Sequence, residues 1–134
     1  MYRRYLATQA AKMLANLATV KEGNGTMLDN TLLVFTSDSA NRQHTAGENW
    51  PFVLVGNLGG GLKAGQFLSY PLEFKNLKQT PYENYAIAPK SNPAVNALYC
   101  TILHALGRPR DMFNYVATSK ESPALYGPLS ELLA

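Results

Sequence analysis

Asp38, His44 and Glu48 lie in one polar stretch, Asp-Ser-Ala-Asn-Arg-Gln-His-Thr-Ala-Gly-Glu-Asn-Trp, set between two apolar runs. A carboxylate and a neutral imidazole are ordinary ligands of zinc, and mixed Asp/His sets are common in its sites. Asp38 directly follows Thr31-Leu-Leu-Val-Phe-Thr-Ser37. A carboxylate at the end of a buried strand is held rigidly, which suits a metal ligand or a general base. Glu48 comes four residues after His44, where its carboxylate could orient the imidazole. The competing reading is a solvated loop in which Asp38 caps a turn, His44 faces water and Glu48 is a surface carboxylate.

Other chemistry-bearing residues carry weaker patterns. Gly59-Gly-Gly61-Leu-Lys-Ala64 fits a loose nucleotide-loop pattern, but Gly-Gln-Phe-Leu-Ser-Tyr-Pro follows it and does not read as a helix. A tight turn with positive φ is the better reading. Cys100 is the one cysteine, so no intrachain disulfide forms, and its helical setting is that of a buried structural thiol. His104 sits beside an apolar helical stripe, where a structural or surface histidine is the expectation. Trp50, just before the second apolar run, reads as a packing residue.

These residues need elements to hold them. Leu6, Ala10, Met13, Leu17 and Val20 recur at steps of four and three, which predicts an amphipathic helix over 3–22, ended by Gly23 and Gly25. Thr31–Ser37 and Pro51–Val55 are short, nearly continuous apolar runs, the pattern of strands buried on both faces in a parallel sheet. Proline-rich irregular chain spans 66–90. Asn92-Pro93 then opens a second helix as N-cap and first helical residue, with Val95, Leu98, Tyr99, Ile102, Leu103 and Leu106 as its buried stripe. Gly107 and Pro109 close it, and an extended tail comes next, pinned by a few apolar contacts.

This order of elements fits an α/β sandwich. Its few-stranded, mostly parallel sheet would be flanked by helices and would leave an open edge, through which self-association or a partner chain is expected. The 134 residues suit a single domain or a C-terminal fragment of a larger one. A hydrophobic fraction of 46% with 16% charged residues argues for a real core and against disorder. The formal net charge is +3, but the basic residues are spread along the chain, which argues against nucleic-acid binding. No signal-peptide h-region and no apolar run of membrane-spanning length is present.

A resemblance adds to this. Leu28-Asp-Asn-Thr-Leu-Leu-Val-Phe-Thr-Ser-Asp38 resembles the segment leading into a metal site in alkaline phosphatases and sulfatases. His44-Thr45, followed by Phe-Val-Leu-Val-Gly, resembles the His-Thr-Gly segment that supplies a later zinc ligand. Nearer still is a mostly bacterial branch of that superfamily, a domain of unknown function. The shared features are Pro51-Phe-Val-Leu-Val-Gly, Gly-Gly-Gly-Leu-Lys-Ala-Gly-Gln, Leu-His-Ala-Leu-Gly and a Gly-Pro-Leu-Ser-Glu-Leu ending.

The resemblance implies a partial alkaline-phosphatase-like sandwich, a divalent metal (zinc foremost) held by Asp38 and His44, and a phosphate- or sulfate-ester hydrolase. It also implies a periplasmic or secreted setting. Ser39 stands where the phosphatase pattern has His and the sulfatase pattern Asn, which leaves it a supporting position beside the ligands. The superfamily's nucleophile and first metal carboxylate come from N-terminal segments with no match here. The chain is therefore expected to form part of a site and not to catalyse alone. The alternative is a degenerate, non-catalytic member acting as an interaction module.

Overall fold

The computed structural model describes residues 2–37, 50–70, 92–112 and 127–134. Its elements in chain order are α1 (Tyr2–Thr19), β1 (Lys21–Glu22), β2 (Gly25–Thr26), β3 (Leu33–Thr36), β4 (Phe52–Val55) and α2 (Val95–Ala105), followed by a 3-10 turn at Ser130–Leu132.

The predicted parallel sheet is not what these strands build. They form two separate antiparallel pairs, β1 with β2 and β3 with β4. In the second pair Leu33 lies opposite Val55 and Thr36 opposite Phe52. The two apolar runs suggested burial on both faces, and that inference fails at particular residues. Val34 is 40% exposed on one face of the ribbon and Val53 is 53% exposed on the other. A parallel pair also needs a crossover that carries the chain back to the starting end of the sheet. Here Thr36 and Phe52 face each other, so the chain leaves and re-enters at the same end.

The first helix stops at Thr19, short of the expected end at residue 22, because Lys21 and Glu22 are taken into a hairpin. Gly23 sits in its tight turn at φ 56° and so serves the hairpin, not a helix cap. Asp29 fastens the second strand of the hairpin to the turn that leads towards β3. Its Oδ2 accepts from the Thr26 backbone N–H at 2.7 Å and from the Thr26 hydroxyl at 2.9 Å. These bonds to the charged form hold the Asp29 carboxyl below its usual range.

The second helix also begins later than expected. Ala94 is its N-cap, with no side-chain cap bond, so Asn92-Pro93 precedes the helix and does not open it. Its inward face carries Ala97, Leu98, Cys100 and Thr101, while Tyr99 and Leu106 are exposed. At the C-terminal end of α2 another backbone comes close. A Cβ on Gly61 would lie 2.6 Å from the Ala105 carbonyl oxygen. Gly107, at φ 69°, closes the helix through its N–H to the His104 carbonyl at 2.9 Å.

The tail is held mainly by polar bonds. Leu62 bridges to Leu133, Lys63 N–H donates to Leu132 O at 2.9 Å, and Leu129 N–H donates to the Thr101 hydroxyl at 2.8 Å. The core therefore lies between the inner face of α2, Leu62 and the tail.

Candidate functional site

Asp38, Ser39, His44 and Glu48 lie outside the described residues. What the structure describes is the base from which their segment leaves and to which it returns. Trp50 Nε1–H donates to the Ser37 carbonyl at 2.9 Å, and the Thr36 hydroxyl donates to the Pro51 carbonyl at 2.7 Å. Together with the β3–β4 ladder, these bonds tie the two ends of segment 38–49 at one neck. The Thr36 hydroxyl is thereby engaged in holding the neck.

Trp50 faces a second feature. Its ring packs on Phe52 with centroids 5.7 Å apart at 37°. Both rings line a groove of about 840 Å³ that runs along β4 to the start of α2 and the tail. Val55, Leu98 and Leu132 contribute apolar wall, and Lys63 is the one charged residue among the described lining residues. At Tyr70 the phenol donates to Glu131 Oε1 at 2.5 Å, tying the stretch after Leu62 to the tail. Desolvation, then the bond to Glu131, push the Tyr70 phenol well above its ordinary range. The same bond holds the Glu131 carboxyl below its own range.

The signs of these shifts fix a pH window. The depressed Glu131 carboxyl contributes stability above its unfolded value, lost as pH falls through its folded value. The raised Tyr70 phenol contributes stability below pH about 10, lost as pH rises through its folded value. Tyr70→Phe should lower stability at neutral pH by less than about 1 kcal/mol, because Glu131 is exposed. It should also flatten both flanks of the stability profile, as read by urea unfolding across pH.

Comparison with protein-family models, curated proteins and solved structures finds no match to this chain. Among the described residues no group of three or more His, Cys, Asp or Glu could hold a metal. His104 Nε2 lies 3.7 Å from Asp111 Oδ1, which makes a pair and not a ligand set. Cys100 is fully buried on the inner face of α2. Gly59 and Gly60 adopt φ of 69° and 96°, as a tight turn requires, with Leu58 beside them at φ 53°. The metal ligands expected from the sequence, Asp38 and His44, lie outside the described residues.

The sequence reading missed the neck and the groove. Trp50 was expected to pack, and it does, but its indole N–H also needs a partner when half-buried, and Ser37 O supplies it. Tyr70 and Glu131 are 61 residues apart, and nothing local in the sequence pairs them. No helix among the described residues is long and apolar enough to cross a membrane.

Proposed function

We propose that the chain contributes a divalent-metal-binding segment, 38–49, to a site that hydrolyses phosphate or sulfate esters. Asp38 and His44 are its ligands, with Glu48 and Ser39 in support. The nucleophile comes from outside the described pattern of this chain. The reading draws no support from the fold, since the antiparallel pairs remove the sandwich that the family resemblance implied. The observation that carries it is the Trp50–Ser37 neck. Tying both ends of a short segment lowers the entropy lost when its side chains converge on an ion. The neck also borders a groove whose one described charge is the cation of Lys63. An apolar groove with a single positive charge suits an anionic ester that carries an apolar group. A bound metal would polarise the ester oxygens and activate the attacking group.

Calorimetric titration with zinc and with manganese tests the ligands. The wild-type chain should bind, His44→Ala and Asp38→Ala should not, and Glu48→Ala should bind about tenfold more weakly. Equal, negligible heats for wild type and His44→Ala would end the metal assignment.

A second reading is favoured by the sheets themselves. Each strand of the β3–β4 pair has one edge without a neighbouring strand among the described residues. Such edges pair with other chains, so the chain would act as an interaction module. A stable, monodisperse monomer in sedimentation would count against that reading.

A further inference from the structure

The predicted buried face of α1 does not behave as one face. Ala10, Leu14 and Leu17 are half-buried, and the Leu17 and Val20 carbonyls accept from Leu28 and Met27 N–H at 3.3 and 2.8 Å. That stripe seats the helix on the chain beyond the β1–β2 hairpin. Beside it runs a second stripe of Tyr2, Leu6, Gln9, Met13 and Asn16, continued by Val20, at alternating steps of four and three residues. This one is open: Tyr2 is 74%, Met13 45% and Val20 46% exposed. The spacing is that of a seam between two packed helices.

The flanks of the seam say what kind of helix fits. Arg3 lies on one side and Lys12 on the other, and α1 contains no acidic residue. A second copy would set these like charges against one another, which costs affinity. The two amides in the seam, Gln9 and Asn16, oppose insertion into hydrocarbon. They are the residues that fix register in helix pairs, where a partner side chain can answer them.

We propose that this stripe of α1 is a docking seam for an amphipathic helix of another polypeptide whose flanking positions are acidic. Leu6 and Met13 are its apolar anchors, and Arg3 and Lys12 set charge selectivity. The seam lies on a different element from the metal segment, so either assignment stands without the other.

The test uses the full chain and two synthetic helical peptides with identical leucine seams, one flanked by glutamate and one by lysine. Binding is followed by fluorescence anisotropy, alongside vesicles of mixed phosphatidylcholine and phosphatidylserine and sedimentation of the chain alone. The glutamate peptide should bind, weaken as salt is raised, and lose at least about tenfold in affinity with Leu6→Asp or Met13→Asp. Far-ultraviolet circular dichroism of each variant verifies that α1 persists. Lys12→Glu should weaken the preference for the glutamate peptide, and Arg3→Glu combined with Lys12→Glu should swap it toward the lysine peptide. Equal binding of the two peptides would overturn the assignment. So would binding unchanged by Leu6→Asp, vesicle binding in place of peptide binding, or a dimer that Leu6→Asp dissociates.

Discussion

Gly56→Ala should destabilise the protein by about 3 kcal/mol or more, through a carbonyl contact added to a strained backbone. Gly56 follows β4 at φ 97°, where a side chain is disfavoured whatever the space around it. A Cβ there would also lie 2.1 Å from the Thr31 carbonyl oxygen, which is backbone and has little freedom to yield. Gly60 provides a matched control. Its φ is 96°, and nothing lies within 4 Å of the position a Cβ would take. Gly60→Ala should therefore cost only the conformational part, about 1–2 kcal/mol. The difference between the two variants in urea unfolding isolates the contact with Thr31. If they unfold at the same midpoint, Gly56 is not required for the close approach of β4 to the chain before β3.

Thr101→Val should cost about 2 kcal/mol, although it keeps the volume and the branch of the side chain. Thr101 is fully buried. Its hydroxyl donates to the Ala97 carbonyl at 2.7 Å and accepts from Leu129 N–H at 2.8 Å. Valine leaves that N–H unsatisfied where it is partly out of water, and the penalty for an orphaned donor exceeds the net value of the bond. Thr101→Ser keeps the hydroxyl and should lose only the contribution of one methyl, about 1 kcal/mol. Hydrogen exchange separates the two variants. Leu129 N–H should exchange much faster in Thr101→Val and close to normally in Thr101→Ser. Unchanged protection at Leu129 in Thr101→Val would mean that the Thr101 hydroxyl does not hold the tail.

These two residues mark what the sequence made legible and what it did not. Both helices and the β3 and β4 strands lie close to where periodicity placed them, whereas the β1–β2 hairpin was not read and takes Lys21 and Glu22 from the predicted helix. The pairing of the strands was not legible. Thr31–Ser37 and Pro51–Val55 carry the same apolar signal whether they are buried in a parallel sheet or half-covered in an antiparallel ribbon. Only the return of the chain at Trp50 separates the two cases. The inner face of α2 was legible in part. Leu98 of the predicted stripe is buried, but Tyr99 and Leu106 are exposed, and the most buried positions are the small residues Ala97, Cys100 and Thr101. For α1, one apolar arc was read where two stripes with different surroundings exist. Of the candidate metal residues the structure describes only the neck, so Asp38 and His44 remain arguments from residue type and position.

The seam between the tail and the glycine loop bears on how the chain acquires this structure. Tyr70 and Glu131 join positions 61 residues apart, and Leu62 pairs with Leu133 across a still longer stretch. Local elements such as the β1–β2 hairpin and α2 can form from neighbouring residues, whereas the contacts of the tail with Leu62 and Tyr70 require a large loop to close. The barrier to folding should then be crossed with α2 formed and the tail still unbound. In kinetic terms, substitutions at Leu133 or Glu131 should leave the refolding rate almost unchanged and appear almost wholly as faster unfolding.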